Sequence, residues 1–144
     1  MSADGHWLGF DFGLAWIGVA AGQRLTQTAS PLPPLRARDG IPNWDAIDAL
    51  VNEWKPAGFV VGIPYNMDGS DSEMGARANK FRKRLHGRYG LPAEAIDERL
   101  SSREARSQLG ERGKSLSKAR QAQVDSIAAQ LILETFLLQT TPQA

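Results

Sequence analysis

Three carboxylates stand where folding alone gives them no reason to be. Asp11 interrupts an apolar run between Phe10 and Phe12. Burying an ionised carboxylate without compensation costs several kcal/mol, so something must compensate it, and its functional reading is a metal ligand or a general base. Glu98, with Asp97 beside it, closes a short alternating stretch ahead of Ser101. Carboxylates at strand exits lie where open α/β sheets bind ligands. Asp125 opens an apolar helical stripe, and at about 100° per residue it projects with Ala128, Ala129 and Ile132 at the stripe's edge. Each has a plainer alternative: a hydrogen-bonded structural aspartate, an exposed acidic turn, a carboxylate complementing a helix dipole.

As a set they are an oxygen-only donor group. The chain has no cysteine and two histidines, His6 and His86. A cluster of Asp11, Glu98 and Asp125 therefore favours Mg²⁺ or Mn²⁺ over zinc. A hard cation held that way keeps positions open for phosphate and water, which suits phosphodiester cleavage.

The charge distribution points to the same class of ligand. Thirteen of the seventeen Lys and Arg residues lie between Arg77 and Arg120, against five acids, a local charge of +8; the remainder carries −7. Such asymmetry suits a polyanionic partner, although two solvated basic helix faces would also produce it. Arg99 and Arg103 follow Glu98 and can reach a scissile phosphate, or else pair with Asp97 and Glu104. Lys114, Lys118 and Arg120 belong to GERGKSLSKAR, residues 110–120, whose glycines, serines and absent period read as a mobile loop. Together these five are the candidate contacts to a nucleic-acid backbone.

Elements must carry these residues to one place. Trp7 to Gly13 alternates in period two and predicts a strand; Trp16 to Ala21 predicts a second and Leu25 to Ala29 a third, an antiparallel meander. Pro31, Pro33 and Pro34 are expected to end the meander in an extended connection. Asn43 can cap a helix with the stripe Trp44, Ile47, Leu50, Val51 and Trp54, stopped at Lys55-Pro56. The continuous run Phe59 to Ile63 reads as a doubly buried parallel strand. Ser70-x-x-Glu73 has capping-box form for a helix ended by Gly90 and Pro92. Ala93 to Asp97 is a weak strand, and Ser101-x-x-Glu104 opens a short helix to about Gly110. Val124, Ile127, Ala128, Leu131, Ile132 and Phe136 build the last and longest helix. The order β-β-β-α-β-α-β-α-α predicts an α/β fold with a mixed five-stranded sheet flanked by helices.

The 144 residues suffice for one domain, residues 1–144, that folds without disulfides. Zinc ribbons and thiol catalysis are excluded with cysteine. The longest apolar stretch, Ala128 to Leu138, is broken by Gln130, Glu134 and Thr135, so no membrane span is expected. MSADGHW has no basic region followed by an apolar run, so no secretory signal is expected and the default location is cytoplasmic.

Four segments in order, LGFDFGLAWIGVA, VVGIPYNMDGS, IDERLSS and VDSIAAQLILETFL, resemble the YqgF family. This is the bacterial RNase H-like group associated with precursor 16S rRNA nucleases and, earlier, with Holliday junction resolvases. The resemblance covers roughly residues 7 to 138. It implies an RNase H-like sheet and a divalent-metal site, with the family's acidic residues at Asp11, Glu98 and Asp125. It also implies nuclease activity in ribosomal RNA maturation. Two departures bear on substrate contact. The family usually shows Thr and then polar or basic residues where this chain has Leu14, Ala15 and Trp16. It often carries a lysine near the V-D pair, where this chain has Gln121 and Gln123.

The leading expectation is a metal-dependent endonuclease acting on structured RNA at the 5′ end of precursor 16S rRNA, as a monomer or weak homodimer. Branched DNA is the alternative substrate, in a Holliday junction resolvase. A non-catalytic RNA-binding ribosome-assembly factor is a second alternative. An ATP-binding protein of the sugar-kinase or actin type would share the first loop but needs two such domains. Asn66 and Asp68 are expected to build a turn, and Trp16 to cover a sheet face or stack on a base.

Overall fold

A computed structural model of the chain describes residues 5–98 and 118–139, and for 118–125 the backbone alone. Six strands form one sheet in the order β4-β3-β2-β1-β5-β6. β1 (His6–Asp11), β2 (Trp16–Gln23), β3 (Thr28–Arg38) and the two-residue β4 (Ile41–Pro42) run antiparallel in succession. β5 (Gly58–Ile63) pairs parallel with β1, and β6 (Ala93–Asp97) parallel with β5. The predicted mixed α/β sheet is therefore present, with a sixth strand added by the hairpin at Asp39-Gly40. Both residues have positive φ, +48° and +80°, as a two-residue hairpin turn requires.

The third strand departs from expectation. It does not occupy Leu25 to Ala29 and stop at the prolines; it begins at Thr28 and runs through them to Arg38. Pro31 pairs with Ala20, while Pro33 and Pro34 fall in the irregular stretch between the Val19–Leu32 and Ile17–Leu35 pairs. On its other side β3 meets β4 only at Ala37 and Arg38. Most of it is thus an edge with a bulge, the two settings in which a strand tolerates a missing N–H.

Alternation along β1 sends Leu8 and Phe10 to one side and Trp7, Gly9 and Asp11 to the other. The first side packs Phe10, Ile17, Val19, Phe59 and Val61 against α1 (Trp44–Trp54) and α2 (Glu73–Tyr89). Asn43 caps α1 as its sequence predicts, accepting from the Asp45 N–H at 3.1 Å. The cap of α2 is Ser72 rather than Ser70: its hydroxyl accepts from the Gly75 N–H at 2.8 Å and donates to the Pro64 carbonyl. Ser70 instead closes the preceding turn with Asp68 and Asn66, the turn role expected of those two residues.

The other side of the sheet is covered by α3 (Lys118–Gln139), whose Ala129, Ile132, Leu133 and Phe136 pack on Trp7, Ala20, Val60 and Ile96. This helix starts earlier than its apolar stripe suggests: residues 118–120, read as the end of a loop, are its first turn. The helix expected from Ser101 to about Gly110, and residues 110–117 of the expected loop, lie outside the described residues. No helix among the described residues is long and apolar enough to cross a membrane.

Candidate functional site

Asp11 is the last residue of β1, opposite Gly18 of β2, and is 7% exposed. It therefore caps the central strand rather than interrupting it. Glu98 follows β6 directly and is 4% exposed. Parallel pairing of Phe10 with Val61, and of Val61 with Ala95, brings the ends of β1 and β6 to the same edge of the sheet. Strand alternation settles the face. Asp11 follows Trp7 and Gly9, and Glu98 follows Ile96, on the side covered by α3. Asp97 lies on the other face by the same alternation, opposite Ile63. Of the two acids at this strand exit, Glu98 is the one that shares a side with Asp11.

Between the two carboxylate-bearing strands lies β5, with a lateral gap of two strand spacings, about 10 Å. At the level of Asp11 that strand carries Gly62. A Cβ there would stand 2.4 Å from Ile132 Cδ1 and 3.5 Å from Glu98 Cγ. In β1, a Cβ on Gly9 would stand 2.8 Å from Leu133 Cβ and 3.1 Å from the Ala129 carbonyl oxygen. These two glycines let α3 lie directly on the sheet beside the acidic pair.

Ser126, which the sequence reading passed over, fixes where α3 crosses β2 and β3. It is 2% exposed, accepts from the Val19 N–H at 3.3 Å and donates to the Leu32 carbonyl at 2.7 Å. Val19 and Leu32 are ladder partners at the bulge, so the hydroxyl is inserted into the β2–β3 ladder. Val19 neighbours Gly18, the residue opposite Asp11. The helix backbone at residue 125 is thereby tied to the level of Asp11. The available signal was a hydroxyl next to Asp125 in an otherwise apolar helix face.

The Asp125 side chain lies outside the described residues, as do Arg99, Arg103 and Lys114 and the side chains of Lys118 and Arg120. Among the described side chains no three of His, Asp and Glu form a group able to hold an ion. The two placed donors, Asp11 and Glu98, fit a hard cation in kind, being oxygen-only and buried. Trp16 is half-buried, with the Arg36 guanidinium 5.2 Å from its ring centroid.

The shifted titrations lie at the far end of α2. Arg88 donates twice to the Asp48 carboxylate, at 3.1 and 2.9 Å, and the Tyr89 hydroxyl donates to the same group. The Arg88 bond, followed by that of Tyr89, holds the Asp48 carboxyl below the usual carboxylate range. Burial, reinforced by Asp48, pushes the Tyr89 hydroxyl up to about 12.

A family model described as "RuvX: Holliday junction resolvase" matches residues 5–139. A protein of Hahella chejuensis named "Putative pre-16S rRNA nuclease" is 57% identical over 130 residues, covering 90% of this chain and 82% of that one. Proteins of the same name from Aeromonas hydrophila and Escherichia coli are 53% and 50% identical, covering 90% and 94% of this chain and 92% and 97% of theirs. Among solved structures, Thermus thermophilus RuvC in complex with a Holliday junction substrate superposes with a TM-score of 0.55 at 13% identity, covering 95% of this chain and 98% of that one. The yeast mitochondrial Holliday junction resolvase gives 0.53 at 9% identity, covering 96% and 82%. At those identities the likeness is one of fold.

Proposed function

The chain belongs to the RuvX family, the family its motifs resemble under the name YqgF, and we propose on that footing that it is a divalent-metal-dependent endonuclease trimming the 5′ end of precursor 16S rRNA in the cytoplasm. The observation that carries the reading is the pair of buried carboxylates, Asp11 and Glu98, on one face and one edge of the sheet beneath α3. Asp125, tied through Ser126 to the level of Asp11, is the third donor in this proposal. The three would hold Mg²⁺ or Mn²⁺. A divalent cation supplies positive charge at a scissile phosphate and lowers the pKa of a bound water.

The chain's own groups have separate tasks. Asp11 and Glu98 fix the oxygen donors on strand ends that packing makes rigid, and α3 excludes bulk water from one side. Arg99, Arg103, Lys114, Lys118 and Arg120 would bind phosphates flanking the cut, setting position rather than sequence choice. The reading takes residues 1–144 as one RNase H-like nuclease domain, acting as a monomer or weak homodimer.

The test is incubation with precursor rRNA and Mn²⁺, beside an Asp11→Asn variant. Cleavage by the natural chain and not by the variant is expected. Equal residual cleavage by both would point to a contaminant and leave an RNA-binding assembly factor as the better account. A second reading, junction resolution, is favoured by the family model's description and by the RuvC-like fold. A resolvase needs two sites related by a twofold axis. Light scattering with and without a four-way DNA junction separates the two, because a junction-bound dimer supports the resolvase alone.

A further inference from the structure

On the face of the sheet away from α3, a cleft of about 290 Å³ opens between the β3–β4 hairpin and α2. Its floor is aromatic: Phe81 lies 5.6 Å from Phe12 and 6.0 Å from Trp44, centroid to centroid. Its wall is cationic. Arg77, Lys80 and Arg84, spaced three and four residues apart, line it from one side of α2 and are all exposed. At 1.5 Å per residue they span about 10 Å of helix.

The cations of α2 divide by what they already do. Arg82 donates to Asn79 and to the Ala93 carbonyl, and Arg88 is bound to Asp48, so both are held by the fold. Among the described residues neither Lys80 nor Arg84 has an ion-pair partner, and Arg77 has two long contacts, both 3.4 Å, to the carboxylate and the carbonyl of the exposed Asp39. Even with Asp39 counted, the cleft carries an excess of positive charge over an aromatic floor. That combination tracks a nucleic-acid backbone while accommodating bases of any sequence.

The cleft also adjoins the carboxylate edge. Phe12 follows Asp11 directly, with its ring on the opposite face of the sheet. The chain beyond it is pinned to the hairpin by Gly40 N–H to Leu14 carbonyl and Ala37 N–H to Ala15 carbonyl bonds, 2.9 and 2.8 Å. We propose that the cleft walled by Arg77, Lys80 and Arg84 binds the phosphodiester backbone of a single-stranded RNA segment flanking the cut. The proposal rests on the nuclease reading for its substrate and adds a second contact surface on the far side of the sheet.

The probe is a fluorescently labelled single-stranded RNA of twelve nucleotides, titrated with the full chain in EDTA so that binding is read without cleavage. Replacing Arg77, Lys80 and Arg84 together by Ala should weaken binding about tenfold or more, and should lower the slope of log affinity against log salt by about two. The single Arg84→Ala variant, at a site free of described partners, should lower that slope by about 0.7 and serves if the triple variant unfolds. Unchanged affinity and slope in a folded variant overturn the proposal. So does a poly-aspartate peptide of equal charge that binds the cleft as tightly as the RNA, because the occupant would then be an acidic protein segment. Precursor cleavage by the natural chain with an unaltered slope in the variants sinks the cleft and spares the nuclease. RNA binding lost in the variants, with no cleavage by the natural chain, does the reverse.

Discussion

Asp48, Arg88 and Tyr89 join α1 to the end of α2, and their titrations bound the pH range over which that junction helps. Asp48 has a lowered carboxyl pKa, so its contribution is present above the ordinary carboxylate value and lost as pH falls through the lowered one. Tyr89 is raised to about 12, so its contribution is full below the ordinary value of 10.0 and lost as pH rises through the raised one. Asp48→Asn should therefore flatten the acid side of a plot of thermal midpoint against pH, and Tyr89→Phe the side above pH 10. Identical profiles for all three proteins would show the junction to be idle. At this scale the sequence was legible where a residue type contradicts its setting. An aspartate between two phenylalanines and a glutamate at a strand exit stand out by type, and both are buried at one edge of the sheet. Ser126 did not, because one serine in an apolar stripe gives no sign of which backbone groups it will bridge.

The elements were legible where period and punctuation agree. Asn43 and Lys55-Pro56 bracket α1, and the apolar run from Phe59 reads as the doubly buried β5. They were misread where a local rule met tertiary context. Pro33 and Pro34 suggest an end to pairing, yet at a bulged edge no partner needs their N–H groups. Asp39-Gly40 is a hairpin signal in its own right, masked by the prolines before it. The placement of α3 yields two expectations. Ser126→Ala leaves the Val19 N–H and Leu32 carbonyl without the bridging hydroxyl and should cost about 1–3 kcal/mol in urea unfolding. Gly9→Ala drives a Cβ against Leu133 and the helix backbone and should cost about 1–3 kcal/mol by the same measurement. Both should also weaken Mn²⁺ binding, since each shifts the helix carrying Asp125. Stability losses with Mn²⁺ affinity intact would mean that α3 does not help build the site.

For the whole molecule, the segregation of +8 and −7 into separate stretches of chain is a statement about partners. Residues Arg77 to Arg88 of the basic window lie on α2, facing away from α3, while Asp11 and Glu98 lie on the α3 side. A strand bound to both must pass around the carboxyl edge of the sheet. Binding of precursor RNA should then be strongly salt-dependent, with log affinity falling against log salt at a slope of −2 or steeper, as several neutralised phosphates require. A slope shallower than about −1 would remove the polyanion from the account. The central claim is narrower: Asp11, Glu98 and Asp125 hold one cation together. Mn²⁺ binding, followed by the loss of the free-ion electron paramagnetic resonance signal, tests it without reference to activity. The account predicts saturable binding by the natural chain that Asp11→Asn, Glu98→Gln and Asp125→Asn each weaken at least tenfold, and any one of those folded variants binding as tightly as the natural chain would contradict it.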